Sequence, residues 1–149
     1  MRLALFQPDI PQNVGACIRL SACFGVGLDV IRPTGFALDD RSMKRAALDY
    51  GPLAHMTVHD DWDAFFAQKG AGRLVLLTTK GATRLDAFRF ADDDILLFGR
   101  ETTGAPDYVH AAADARVVAP IRPGARSLNL SVTAGIALWE GLRQTNGLT

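Results

Sequence analysis

Residues 96–104 read Leu-Leu-Phe-Gly-Arg-Glu-Thr-Thr-Gly, an apolar run that breaks into a polar turn between two glycines. Apolar strands that end in such turns are where α/β proteins place their ligands. The spacing of Gly99 and Gly104 matches a P-loop, but Ala105 and Pro106 stand where Lys and Ser or Thr would bind phosphate and magnesium. The sequence therefore predicts a ligand-binding turn here, and it argues against a nucleoside triphosphate site.

Short apolar runs alternate with helical patterns along the chain. We predict strands over residues 3–6, 28–31, 56–59, 73–79, 95–98 and 117–119. We predict helices over residues 11–24, from Asp39 or Asp40 to about 49, from Asp60-Asp61 through Phe66, over 109–113 and over 128–144. This alternation favours an α/β fold, a mostly parallel sheet flanked by helices, with ligands at the carboxyl ends of the strands.

Length and composition indicate one ordinary globular domain over residues 1–149. Apolar residues make up 48% of the chain and charged residues 21%. No segment approaches the roughly 20 apolar residues of a membrane span. The opening run, Leu3 to Phe6, is interrupted by Pro8 and is too short for a secretory signal. We therefore expect a cytoplasmic protein that does not contact a membrane.

The charge balance argues mildly against a dedicated nucleic-acid binder. Sixteen basic and sixteen acidic residues give a formal net charge of zero, whereas such proteins usually carry a basic excess. The objection weakens if positive charge is local, as residues 41–45 and 122–126 would allow. A dimer would double any such patch.

Metal and redox chemistry have little support in the sequence. Cys17 and Cys23 lie six positions apart on a predicted helix, outside the spacings of zinc or redox motifs, and we predict buried thiols. His55, His59 and His110 are scattered along the chain, so no metal is expected. Residues 25–27, Gly-Val-Gly, match half of a dinucleotide fingerprint without its third glycine, which disfavours nicotinamide chemistry.

Three polar loops remain as candidates for chemistry, and the first spans residues 7–19. It places the amide of Asn13 and the guanidinium of Arg19 about 9 Å apart along a helix axis. We expect Arg19 to point into a cleft. The alternative is a surface arginine that pairs with a carboxylate, with Asn13 satisfying the first helical turn.

The second and third loops follow the predicted strands that end at residues 98 and 119. Glu101 is the acid that stands immediately after the first of these strands, and a helix cap or a salt bridge is its structural alternative. The third loop, residues 119–131, is stiffened by prolines and a glycine, and Ser127 is placed to cap the last helix. Such a turn exposes backbone groups that can hydrogen-bond an adenine or a ribose.

The last helix carries an apolar stripe. Its members are Val132, Ile136, Trp139 and Leu142. A stripe of this kind is more typical of a core or a dimer face than of a cofactor site.

Taken together, the motifs in the three loops resemble the SPOUT (TrmH-like) RNA 2′-O-methyltransferases. The matching segments are Asn13-Val14-Gly15 with Arg19, residues 98–104, and residues 127–131, Ser-Leu-Asn-Leu-Ser. Residues 6–13, 35–50 and 77–81 are similar, more narrowly, to the minimal members of this family that act on the wobble position of tRNA. The resemblance covers nearly the whole chain, although Arg100 stands where many relatives carry proline, and Trp139 where they carry tyrosine.

This resemblance implies a deep trefoil knot near the carboxyl end, a homodimer, and S-adenosyl-L-methionine as methyl donor. The implied substrate is the ribose of nucleotide 34, a cytidine or a modified uridine, in the anticodon stem-loop of certain tRNAs such as tRNA-Leu. The implied cofactor contacts are Leu77, Thr78, Thr79, Gly99, Glu101, Ala119, Ile121, Ser127, Leu128 and Asn129. Arg19, Asn13 and Ser131 match the family's catalytic positions.

The reaction requires in-line alignment and stabilisation of negative charge on the ribose oxygen, and it needs no metal. A guanidinium is effectively always protonated, so we assign Arg19 to positioning and charge stabilisation before general-base catalysis. RNA phosphates are expected to contact Arg41, Lys44, Arg45 and Arg122. The alternatives are methylation of another tRNA or rRNA nucleotide, and a noncatalytic RNA-binding module.

Overall fold

A computed structural model describes residues 1–148 of the protein. In this part of the chain the strands are β1 Arg2–Phe6, β2 Gly27–Ile31, β3 His55–His59, β4 Leu74–Leu77, β5 Thr83–Arg84, β6 Ile95–Phe98 and β7 Ala115–Val118. The helices are α1 Pro11–Phe24, α2 Arg41–Ala47, α3 Trp62–Gln68, α4 Asp107–Ala112 and α5 Leu130–Gln144. Single 3₁₀ turns cover Gly51–Leu53 and Leu85–Ala87.

The strands form one sheet in the order β3-β2-β1-β6-β4-β7-β5, and every pairing between them is parallel. The predicted mostly parallel sheet is therefore confirmed. All strands point the same way, so their carboxyl ends lie at one edge, where loops can converge on a ligand. The interleaved order β6-β4-β7-β5 fits a knotted carboxyl-terminal half, and the knot itself stays a prediction.

The sheet separates two apolar layers. Leu96 and Phe98 of β6 belong to a core shared with α1, α2 and α5, whereas Ile95 and Leu97 face the side covered by α3 and α4. Alternate strand residues point to opposite faces. Since both faces are covered, β6 is apolar at every position and fully buried, as a central parallel strand requires.

Local capping signals set most helix ends. From the predicted pairs of neighbouring aspartates, the structure selects Asp40 and Asp61, which cap α2 and α3 through their carboxylates, and Gly25 ends α1 at φ 64°. The predicted cap Ser127 is wrong. The last helix begins at Leu130, so the capping position falls to Asn129, whose side-chain oxygen accepts from the backbone N–H groups of Ser131 and Val132.

The two cysteines differ in environment. Cys17 is buried and Cys23 is exposed, so the prediction of a buried thiol is correct for Cys17 and wrong for Cys23. Burial raises the pKa of the Cys17 thiol to about 12. Within residues 1–148, no helix is both long and apolar enough to cross a membrane.

Glu140 of α5 provides a test of stability against pH. Arg143 and Gln144 each donate to its carboxylate at 2.8 Å and lower the pKa of Glu140 from 4.5 to about 2. The folded state therefore gains stability that is fully present above pH 4.5 and lost as the pH falls towards 2. Because the pair is partly solvated, we expect Glu140→Gln to reduce the pH-dependent part of the free energy of unfolding by less than about 1 kcal/mol.

The measurement is the free energy of unfolding by urea between pH 2 and pH 6. The variant is expected to show a shallower acid slope than the wild-type protein, with the two curves parallel above pH 5. Identical slopes in the two proteins would contradict the assignment.

Candidate active site

A cavity of about 710 Å³ lies at the carboxyl ends of β4, β6 and β7. Its walls come from the segments after these three strands and from the start of α1. Parallel strands with buried faces end here in polar loops, which is the usual ligand position in an α/β sheet. Volumes of several hundred cubic ångströms suit a small organic ligand.

The loop after β6 is a closed turn held by its own backbone. The N–H of Gly104 donates to the carbonyl of Arg100 at 2.8 Å, and the N–H of Arg100 donates back at 3.3 Å. A Cβ at Gly99 would collide with the backbone of Gly104 and Ala105, lying 2.7 Å from the carbonyl carbon of Gly104. Only glycine at position 99 lets the turn close this tightly and present its backbone to the cavity.

A chain of hydrogen bonds joins the three loops along one wall. The Nδ2 atom of Asn13 donates to Oε1 of Glu101 at 3.1 Å, and Nδ2 of Asn129 donates to Oδ1 of Asn13 at 2.9 Å. The backbone N–H of Asp9 donates to the other carboxylate oxygen of Glu101 at 2.7 Å. Glu101 therefore serves as an acceptor that ties its loop to α1, and the start of α5 is tied through Asn13.

A second set of contacts lies next to this chain. The carboxylate of Asp9 accepts from Nη2 of Arg100 and from the hydroxyl of Thr102, each at 2.6 Å. The hydrogen bond from Arg100 holds the pKa of Asp9 below its ordinary value, and the hydrogen bonds from Thr102 lower it further. Asp9 is therefore an ionised acceptor at neutral pH.

The structure brings most of the predicted site residues together. All ten predicted cofactor contacts line the cavity, and so does Asn13. Ser131 lies just outside it and donates its hydroxyl to Oδ1 of Asn129 at 2.7 Å, so it supports the wall instead of lining it. Whether these residues contact a cofactor stays a prediction.

Arg19 does not point into this cavity, so the expected cleft is wrong for a single chain. Its side chain is exposed, and its guanidinium carbon lies 5.5 Å from the centroid of the Tyr50 ring. Six helical residues advance about 600°, which places Arg19 about 120° around the helix from Asn13. The axial distance of about 9 Å between the two residues does not include this rotation.

Residues 1–139 match the SpoU rRNA Methylase family. The chain belongs to this family. A relative from Beijerinckia indica, named tRNA (cytidine(34)-2′-O)-methyltransferase, is 51% identical over 98% of this chain and 92% of its own length.

Two solved structures agree with this membership. One, described as giving insights into the 2-OH methylation of C/U34 on tRNA, superimposes with a TM-score of 0.92 at 40% identity and covers 98% of this chain and 96% of its own. An AdoMet-bound rRNA methyltransferase from Sinorhizobium meliloti superimposes with a TM-score of 0.86 at 25% identity over 95% of this chain and 55% of its own. The SPOUT resemblance inferred from the motifs is confirmed at the level of family and fold.

Sequence reasoning missed several residues that line the cavity of this SpoU-family chain. Ile10, His110 and Thr133 are among them. Ile10 is exposed in the structure. Its position as an apolar residue within the polar loop of residues 7–19 was a usable signal in the sequence. His110 and Thr133 lie on α4 and α5, and no local motif marks them because only the packing of these helices brings them to the cavity.

The predicted RNA contacts lie outside the cavity. Arg41, Lys44 and Arg45 are exposed on α2, and Arg122 is exposed in the loop that follows β7. Among the salt bridges of residues 1–148, none involves these four side chains. Residues 1–148 hold no group of three or more His, Cys, Asp or Glu side chains placed to bind a metal ion.

Proposed function

We propose that this protein methylates the ribose 2′-hydroxyl of the wobble nucleotide, position 34, of tRNA, with S-adenosylmethionine as methyl donor. The observation that carries the proposal is the convergence of three separate loops on one cavity through the Asn13–Glu101–Asn129 hydrogen bonds. The relative from Beijerinckia indica is named for this reaction and is alike over nearly its whole length. The structure solved for C/U34 methylation supports the same substrate.

The cavity suits S-adenosylmethionine in size and in chemistry. The cavity-lining residues 77–79, Gly99 and those between 119 and 129 would hold the adenosine and amino-acid parts through backbone N–H and C=O groups. When bound, this cofactor supplies an electrophilic methyl group on a sulfonium. The protein then has to place the ribose oxygen in line with that group and to exclude water.

The remaining requirement is a positive group near the ribose oxygen, where negative charge develops as the methyl group is transferred. We assign this role to Arg19, because its guanidinium stays protonated and donates several hydrogen bonds in a fixed geometry. Asn13 lies at the cavity wall and is held by Glu101 and Asn129, so its role is to support that wall. Neither side chain is required to act as a base in this assignment.

Arg19 can reach a cavity only if a second subunit supplies one, so we include a homodimer in the proposal. Val132, Ile136 and Trp139 of α5 are 44% to 50% exposed and form an unpartnered apolar face, whereas Leu142 of the predicted stripe is buried. Helix α1, which carries Arg19, packs beside α5. Pairing of two chains through this region would cover the apolar face and bring Arg19 of one subunit towards the cavity of the other.

The function is tested by methyl transfer from labelled S-adenosylmethionine to tRNA that lacks its wobble methylation, followed by nucleoside mapping. We expect label on the 2′-oxygen of nucleotide 34, with tRNA-Leu among the substrates. Label on another tRNA or rRNA nucleotide would keep the reaction and replace the substrate. Tight binding of cofactor and tRNA without transfer would instead identify a noncatalytic RNA-binding module.

RNA binding provides a further test. Replacing Arg41, Lys44, Arg45 or Arg122 singly with alanine is expected to weaken tRNA binding and to flatten the slope of log affinity against log salt by about 0.7 to 0.9 for each lost phosphate contact. Filter binding at several salt concentrations measures both quantities. Arg89→Ala, at another exposed arginine, is the matched control and should bind tRNA with the wild-type slope. A variant of one of the four predicted residues that also keeps the wild-type slope would remove that residue from the interface.

A further inference from the structure

The side chain of Asp9 lies between two loops of the cavity wall and is 13% exposed. It precedes α1 and accepts from the guanidinium of Arg100 at 2.6 Å and from the hydroxyl of Thr102 at 2.6 Å. Both partners belong to the turn after β6, 91 and 93 residues further along the chain. One carboxylate thus ties this turn to the segment before α1.

The backbone of Asp9 contributes a separate contact to the same turn. Its N–H donates to Glu101 at 2.7 Å, and Asn13 donates to the other oxygen of that carboxylate at 3.1 Å. Arg100 and Glu101 are neighbours in sequence, so the guanidinium and the carboxylate of this turn carry opposite charges close together. Arg100 points to Asp9 instead of Glu101, and Glu101 remains free to accept from Asn13.

We propose that Asp9 is a positioning residue that holds Arg100 away from Glu101 and so keeps the turn after β6 in the shape that binds the cofactor. The inference rests on the proposed function, because it concerns the same cavity. Asp9 itself does not line the cavity. Its effect passes through the turn, whose residues 99–104 all do.

Loss of the Asp9 charge would free the guanidinium of Arg100 from its present partner. An uncompensated guanidinium next to a carboxylate forms a charge-assisted hydrogen bond with it. In Asp9→Asn, Arg100 would turn towards Glu101 and compete with Asn13 and with the N–H of residue 9. The turn would shift, and the hydrogen-bonded chain to Asn129 would be broken at its first link.

The test is a double-mutant cycle on the dissociation constant for S-adenosylmethionine, measured by calorimetry on the full chain. We expect Asp9→Asn to weaken cofactor binding about tenfold and Arg100→Ala about threefold. In the double variant the competing guanidinium is absent, so the loss should stay near threefold instead of the about thirtyfold expected for independent effects. Partial rescue by a second substitution is the signature of positioning.

A merely structural ion pair would behave differently. Asp9→Asn would then lower the thermal midpoint of unfolding and leave the cofactor dissociation constant of the folded protein unchanged, which would overturn the inference. Independent losses in the double variant would also overturn it. Asp86→Asn, at the exposed pair with Arg84 at 2.8 Å, is the matched control and should bind the cofactor as the wild-type protein does.

The wild-type titration separates the two levels of the proposal. If the wild-type protein does not bind S-adenosylmethionine, the proposed function fails and this inference fails with it. If the wild-type protein binds and Asp9→Asn binds equally well, the inference about Asp9 fails alone.

Discussion

Replacing Arg19 with alanine is expected to lower kcat for tRNA methylation by at least about a hundredfold, while the dissociation constant for S-adenosylmethionine stays within about twofold. Arg19 lies outside the cavity of its own chain, with its guanidinium over the ring of Tyr50. It can therefore contribute to charge stabilisation without contributing to cofactor binding. Single-turnover kinetics at saturating cofactor, combined with calorimetry, measures the two effects separately.

The matched control is Arg116→Ala, which removes an exposed guanidinium of β7 that does not line the cavity. It should leave kcat unchanged. Wild-type turnover in Arg19→Ala would remove this residue from the mechanism. A parallel loss of cofactor affinity would mean that Arg19 acts on the cavity itself.

Subunit mixing shows whether Arg19 acts in the partner's cavity. Arg19→Ala subunits are refolded with an equimolar amount of subunits whose cavity is disabled, so that half of the dimers are mixed. Each mixed dimer then has one complete site, made of the cavity of one subunit and Arg19 of the other. Activity should return to about a quarter of the wild-type value. No recovery would indicate that Arg19 serves its own chain.

Gly99→Ala is expected to weaken cofactor binding by about a hundredfold, equivalent to about 2.8 kcal/mol. The added Cβ would lie 2.7 Å from the carbonyl carbon of Gly104, and it would also meet the backbone of Ala105. Backbone atoms cannot move aside as a flexible side chain can, so the turn must open. The loss of its two backbone hydrogen bonds would displace Glu101, which follows two positions later.

Calorimetric titration with S-adenosylmethionine measures the effect, and thermal unfolding reports any accompanying loss of stability. Gly51→Ala is the matched control, because a Cβ there meets nothing within 4 Å and no left-handed backbone is required. It should bind the cofactor normally. Normal binding by Gly99→Ala would mean that the turn can open without cost and would contradict the geometry. The same variant supplies the disabled cavity for the mixing experiment.

Much of the fold could be predicted because its signals are local. The Asp40 and Asp61 caps, the proline at the start of α1 and the glycine at its end all act within one helical turn. The strand β5 was missed, because two exposed residues carry no apolar pattern and are defined only by their pairing with β7. The Ser127 cap was misplaced because the helix was predicted from residue 128, whereas α5 begins two residues later and is capped by Asn129.

The amino-acid sequence by itself determined the α/β class, the parallel sheet, and the residues that gather at its carboxyl edge, because alternation, capping and turn chemistry operate over a few neighbouring residues. Only the tertiary structure decided how those residues work together. The bonds of Asn13 to Glu101 and to Asn129 span 88 and 116 residues. The packing of α1 on the sheet turns Asn13 towards the cavity, and Arg19, about 120° around the same helix, therefore lies outside it. Such contacts depend on how the elements pack, and no local pattern encodes them.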